Sequence, residues 1–215
     1  MSYAVKAMPR PRSLTAEGIA AAALAVLDRH GTGGLTMRAV AQELGVSTMG
    51  LYRYVTDREE LEGLVVELVL GAVDPAPPAD GTWQERIAAL VERVRAAVGA
   101  HPAVVPLTMT HRHRSPAILR WSESVAGLLT EAGTDDRQRV VALRGLLAYV
   151  IGAIQLEHLG PLAGAGTVAI AGLDPAEFPN LRATAQAARR VPADEEFRGG
   201  LALLLAGIGR RGAAT

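Results

Sequence analysis

Apolar residues in this chain recur at intervals of three and four, with no convincing alternation of two anywhere. A period near 3.6 lines side chains along one face of a helix, whereas a half-buried strand needs a period of two. Alanine-rich segments poor in β-branched residues dominate, which favours helix further. The chain therefore reads as all-α. Length, 215 residues, permits one large domain or two small ones, and a hydrophobic fraction of 49% is enough for a core rather than a disordered chain.

Caps and breakers predict where the helices lie. Thr15 caps a helix to about residue 29, with Ile19, Ala22, Ala23, Val26 and Leu27 on one face, stopped by His30-Gly31-Thr32-Gly33-Gly34. Thr36 caps a short helix ending at Leu44, Gly45 breaks it, and Ser47 caps another to about residue 55. Thr56 with Glu59, or Asp57 with Glu60, forms a capping box opening a fourth helix through about residue 73. After the proline-rich break at 74–81, helices follow over 82–99, 101–111 (short, Pro-interrupted), 116–132, 135–158, 178–190 and 195–208, with a glycine-rich loop at 160–172.

The segment from 36 to 55 meets several independent demands of a helix-turn-helix. Two helices crossing steeply need a small residue at the closest approach, supplied by Ala41, and a turn residue tolerant of positive φ, supplied by Gly45. Val40, Leu44, Val46 and Leu51 suit the shared core, and Tyr54 can lay its ring inward with its hydroxyl outward. A three-helix structural module that touches no nucleic acid is the other reading of the same pattern.

The pattern Leu35-Thr-x-Arg-x-Val-Ala, Leu44-Gly-Val-Ser, Leu51-Tyr-x-Tyr-Val55 and Asp57-Arg-Glu-Glu-Leu61 resembles the tetracycline-repressor family of bacterial transcription regulators, over about residues 12–68. The resemblance implies a three-helix DNA-binding domain at 12–58 and a larger helical effector-binding and dimerisation domain at 59–210, joined by the helix at 57–73. It implies phosphate or base contacts from Thr36 and Arg38, and a recognition helix opened at Ser47 with Thr48, Met49 and Gly50 facing base edges. Tyr52 and Tyr54 would touch the phosphate backbone, and Arg53 would enter the major groove, where it suits guanine. Arg58 stands where many members carry a phosphate-contacting lysine. Gly50 departs from the larger residue common there and weakens the short helix by about 1 kcal/mol. The arm carrying Lys6, Arg10 and Arg12 either reaches phosphate or a minor groove, or is an undirected tail. Partners implied are a double-stranded, near-palindromic DNA operator, a small apolar effector and a second copy of the chain, in a cytoplasmic repressor. The rival reading is an all-α small-molecule or lipid carrier without DNA binding.

Charge first argues against nucleic acid, because 22 basic groups balance 22 acidic ones. The zero is a sum over unlike parts, however. Residues 1–58 hold seven basic against four acidic groups, +3, and residues 59–215 hold fifteen against eighteen, −3. Zero cysteines exclude disulfides, thiolate metal sites and a cysteine nucleophile. No apolar run suits a signal peptide, and none reaches the roughly 18 uncharged residues of a membrane span, so no membrane partner is expected.

In the second half, Val140, Leu143, Leu147, Val150 and Ile154 step by three and four, while Val141, Leu146 and Ile151 form a second apolar face. Burial on two sides predicts a dimer interface shared with the stripe Phe197, Leu201, Leu204 and Ile208 of the last helix; burial wholly within one subunit is the alternative. Met109, Trp121, Tyr149, Gln155 and His158 are candidate effector-pocket residues, with ordinary core as the competing reading. His101, His111, His113, Glu157 and His158 invite a metal site, but no two histidines share an i, i+4 face, so no metal or cofactor is expected. Gly164-x-Gly166 lacks the preceding strand of a dinucleotide site, and no Ser–His–Asp spacing suggests an enzyme.

Overall fold

Side-chain caps set the start of most helices. In the computed structural model, which describes residues 14–160, 162 and 164–212, Thr15, Thr36, Ser47 and Asp57 open α1 (Ala16–Gly34), α2 (Met37–Glu43), α3 (Thr48–Leu51) and α4 (Arg58–Gly71). Thr82 opens α5 (Trp83–Gly99) with a complete capping box. The 3₁₀ turn Pro102–Val104 runs into α6 (Val105–His111). Ser115 and Asp135 then cap α7 (Pro116–Glu131) and α8 (Asp136–Leu159), and α9 (Ala165–Ala171), α10 (Pro179–Ala188) and α11 (Ala193–Gly212) complete the order. Each capping oxygen accepts the backbone N–H three residues on, satisfying a donor the helix itself cannot. There is no strand among the described residues.

The first three helices form a head: α1 packs on α2 and α2 on α3, around Leu27, Leu35, Val40, Ala41, Leu51 and Val55. From there α4 leads into the body, packing on α1 on one side and on α5, α6 and α7 on the other. In the body, α8 packs against α5, α7 and α11. Its buried stripe is Ala142, Leu146, Val150 and Ile154, a run of i, i+4 steps.

The join of α11 to α5 and α8 is partly ionic. Arg95 of α5 reaches Glu157 of α8 (2.9 Å) and Asp194 of α11 (2.9 Å), with its guanidinium 4.3 Å from the centre of the Phe197 ring. Burial acts to lower the Arg95 pKa, but bonding to Glu157 and Asp194 outweighs it and holds the group above its ordinary value. Beside this network the Tyr149 hydroxyl donates to the Phe197 carbonyl (2.5 Å). Burial pushes the Tyr149 phenol up.

Several expectations change. Helix α1 continues past residue 29, but Gly31 breaks it with φ of 65°. Regular helix in α3 stops at Leu51, and Val55 fills the core while Tyr54 stays 47% exposed, so the Tyr54 ring is not turned inward. The glycine-rich loop contains α9, which buries no residue. Asp136–His158 is long and apolar enough, on average hydropathy, to cross a membrane, although only 22% of the relevant window is buried. A strict ban on charges misses it, since the average tolerates one or two. The basic arm with Lys6, Arg10 and Arg12 lies outside the described residues.

At Gly200, α11 passes directly against Tyr149 of α8. A Cβ added there would lie 2.5 Å from the Tyr149 hydroxyl oxygen and 3.0 Å from its ring. Alanine normally stabilises a helix interior by about 1 kcal/mol over glycine. Here Gly200→Ala is expected to lower the unfolding free energy by about 1–3 kcal/mol in urea titrations, through overpacking. Adding Tyr149→Ala should remove that penalty. An unchanged or higher midpoint for Gly200→Ala alone would show that the two helices do not approach this closely.

Candidate nucleic-acid interface and ligand cavity

The turn between α2 and α3 is a Schellman closure. The Gly45 N–H donates to Gln42 O (3.1 Å) and the Val46 N–H to Ala41 O (2.9 Å), with Gly45 at φ 67°. This geometry needs the left-handed region, which glycine enters without a Cβ penalty. The Ser47 hydroxyl then accepts the Gly50 N–H (3.0 Å) and starts α3. A Cβ at Gly50 would lie 3.2 Å from that capping oxygen, so the glycine keeps the first turn uncrowded.

The candidate contact residues largely share an exposed surface. Thr36, Arg38, Ser47 and Arg53 are exposed; Thr48 and Gly50 are half-buried. Met49 is 76%, Tyr52 46% and Tyr54 47% exposed. Neither Arg38 nor Arg53 has an ion-pair partner among the described residues, whereas Arg29 pairs with Glu43. Arg58 differs: its Nη2 donates to Thr32 O (2.8 Å) and its Nε to Glu62 (2.7 Å). Those two donors tie α4 to α1 at the surface, although the Arg58 side chain remains about half exposed.

That tie belongs to the joint between head and body. Glu62 also meets the Nε2 of buried His111 at the end of α6 (3.3 Å), and Asp28 of α1 meets the Nδ1 of His101 just before α6 (2.8 Å). Further along α4, Glu67 accepts the Ser115 hydroxyl (2.7 Å), and Glu59 pairs with Arg114. The chain from 101 to 115 is thus tied to both α1 and α4. These are two of the five histidines, and among the described residues no group of three or more possible ligands converges on a metal position.

The same chain forms one wall of a cavity of about 420 Å³, lined from α4 through α8. Met109, Trp121 and Gln155 of the candidate pocket residues line it. Tyr149 does not: it faces α11 and bonds to Phe197 O. His158 lies instead in a separate charged cleft with Glu92, Arg95, Asp194 and Arg198. Residues that the sequence reading missed include Val98, Thr108, Arg112, Ile118 and Arg144. Arg144, a lone cation in the apolar run 140–154, was the available signal.

The expected dimer stripe divides likewise. Val150 and Ile154 are buried inside this chain as part of the cavity wall, and Phe197 and Leu201 are buried against α5 and α8, so none of the four is free to meet a partner. Leu147 is partly buried and also lines the cavity. Val140 (60% exposed) remains available, with partly exposed Leu143, Leu204 and Ile208, joined by Val141 (59%) and Leu203 (75%). Residues 141, 203, 204 and 208 line one groove between α8 and α11.

A helix-turn-helix head tied to a helical body that encloses an apolar cavity defines a class of two-part regulator. A family profile described as "Tetracyclin repressor-like, C-terminal domain" matches residues 74–211, and one described as "Bacterial regulatory proteins, tetR family" matches 19–62. The chain belongs to the TetR family. It is 33% identical to the HTH-type transcriptional repressor DrrR1 of Streptomyces coeruleorubidus, over 79% of this chain and 62% of that protein. A second curated relative, an HTH-type transcriptional regulator of Saccharopolyspora erythraea, is likewise matched over 62% of its length. The fold is similar to that of apo ActR from Streptomyces coelicolor (TM-score 0.81, 28% identity, 97% of this chain and 99% of that one). It is also similar to BioQ bound to its double-stranded DNA operator (TM-score 0.67, 26% identity, 92% and 99%).

Because Ser47 caps α3 while Met49 is solvent-exposed, alanine at the two sites should differ. Ser47→Ala is expected to cost about 1 kcal/mol of unfolding free energy, and Met49→Ala less than about 0.5 kcal/mol. Equal effects in matched denaturation curves would remove the capping role of Ser47.

Proposed function

We propose that this protein is a homodimeric DNA-binding transcriptional repressor of the TetR type, released from a near-palindromic operator by a small, mainly apolar ligand. On this reading, residues 12–58 form the DNA-binding domain and 59–210 the ligand-binding and dimerisation domain, and the protein is cytoplasmic and not an enzyme. The observation that carries it is the exposed Arg53, which has no ion-pair partner among the described residues, in the turn directly after the short capped helix that carries exposed Met49 and follows a Schellman turn. BioQ with its operator, and ActR in complex with actinorhodin, support the two halves of the reading.

Arg53 reads base edges, while Thr36, Arg38, Tyr52 and Tyr54 hold the phosphate backbone and set register. Two copies joined through the apolar groove of α8 and α11 present their recognition helices to successive major grooves, roughly 34–36 Å apart. A ligand in the cavity displaces α6, and the Glu62–His111 and Asp28–His101 contacts pass that displacement to α4 and α1. A coupling of about 1–3 kcal/mol is ordinary for such linkage.

The test is binding to promoter DNA of its own or a neighbouring gene, against random DNA of equal length. Arg53→Ala should lose preference for the promoter, about 1–3 kcal/mol, while Tyr52→Phe weakens both DNAs alike. Wild-type affinity must also fall steeply with salt; a flat salt dependence would favour the carrier reading. If Arg53→Ala discriminates as wild type does, the base-reading role is wrong.

The dimer is tested separately. Leu203→Arg is expected to convert the protein to monomers in sedimentation experiments and to weaken operator binding with it, because a charge is costly to bury unpaired. A dimer unaffected by Leu203→Arg and by Val140→Arg would move the interface elsewhere.

A further inference from the structure

The cavity lining carries charge of one sign only. Its walls are apolar side chains such as Val98, Ile118, Leu147 and Ile151, and its sole ionisable groups are Arg112 and Arg144. Of the other arginines between the start of α4 and the end of α8 seven are occupied, and Arg137, which lies outside this cavity, is the one with no ion-pair partner among the described residues. Arg58, Arg86, Arg93, Arg95, Arg114, Arg120 and Arg139 all hold carboxylates. Arg112 and Arg144 are both exposed to solvent and have no hydrogen-bond or ion-pair partner among the described residues, so their guanidiniums are free at the cavity. The remaining polar groups are modest. The Trp121 indole N–H is already used on Leu90 O (3.1 Å), leaving its ring as an apolar surface, and the Thr108 hydroxyl donates to Val105 O (2.7 Å).

We propose that the natural effector is an organic anion: a largely apolar body bearing one carboxylate or comparably acidic oxygen, held by the guanidiniums of Arg112 and Arg144. This rests on the reading of the cavity as the effector site and narrows it. Guanidinium offers a planar fork of donors matched to carboxylate-type oxygens. A cationic ligand would meet two like charges with no carboxylate to compensate, and a neutral one would leave both guanidiniums unused. The volume, about 420 Å³, lies within the range of sites that enclose drug-sized molecules.

Anchoring the anion also bears on release. Arg112 follows His111 directly and sits at the C-cap of α6, whereas Arg144 is on α8. An anion bridging the two therefore pulls on the residue next to the Glu62–His111 contact. The apolar body provides affinity, and the charged end acts where the cavity meets the joint.

A matched pair of fluorescent probes tests this with the purified full-length protein: anilinonaphthalene sulfonate, and its neutral counterpart phenylnaphthylamine, which has the same rings without the sulfonate. The wild type should bind the anion about tenfold or more tightly than the neutral probe, and the Arg112→Gln, Arg144→Gln double variant should lose that advantage while binding the neutral probe within about twofold of wild type. Equal affinity of the wild type for both probes, or an unchanged preference in the double variant, overturns the proposal. Filling the cavity separates this from failure of the cavity reading itself. Ile151→Trp, or Val94→Trp should the first not fold, must abolish both probes. Binding that survives in the filled variant, or no binding of either probe to the wild type, rejects the cavity as the effector site and the anion proposal with it.

Discussion

Everything in this structure hangs on the double burial of α4. Leu61, Val65 and Val66 are fully enclosed, and Val69 and Leu70 nearly so, because α1 covers one side and α5, α6 and α7 the other. Each such side chain contributes about 1.5–3 kcal/mol by leaving water, so sliding α4 out of its apolar seat against α1 is expensive. The polar contacts of α4 are of another order. Exposed pairs such as Glu59 with Arg114 are worth about 0–1 kcal/mol. Magnitude therefore assigns the seating of α4 between head and body to its apolar faces, with the polar contacts to the segment 101–115 adding little.

Charge works locally in the same way. The head's net +3 comes from Lys6, Arg10 and Arg12 of the arm, since residues 14–58 hold four basic and four acidic groups. Of those four basic groups Arg29 pairs with Glu43 and Arg58 with Glu62, which leaves Arg38 and Arg53 as the exposed arginines without an ion-pair partner among the described residues. The field available to a phosphate backbone is thus concentrated on one face, and an acidic body behind it discourages binding elsewhere. A zero total says little about a molecule in which many arginines are held in ion pairs that brace helices while Arg38 and Arg53 are exposed without one among the described residues.

The helix-turn-helix was legible because each of its demands is met within a few residues. The Thr36 cap, the Gly45 turn and the Ser47 cap are all local hydrogen-bond requirements, and each appears as a residue type at a fixed offset. Most helix starts were legible for the same reason. The cavity was not, because five helices each contribute unremarkable apolar residues whose convergence depends on crossing angles. On α8 the buried stripe takes Val150 and Ile154 from one apolar face and Leu146 from the other, and completes them with Ala142, which is small enough to pass as background. Tyr149 was misassigned because aromatic character at helical spacing does not say which neighbour it packs on, and the deciding feature is Gly200, 51 residues away. Helix α9 left no periodic signal because it has no buried face to encode.

Helix α6 explains why the cavity stands where it does. It has seven residues, with Pro106 in its first turn, far below the roughly 12–15 residues at which an isolated helix becomes even marginally stable in water. It persists through its contacts with α4 and through Val104, Val105 and Leu107 in the core. The 24-residue α8 on the other side of the cavity is capped at its start and packed against three helices. An occupant in contact with both therefore meets one wall that is nearly fixed and one whose position depends on a few side chains. On the proposed effector role, most of any adjustment falls on α6 and reaches, through His111, the helix that carries the head.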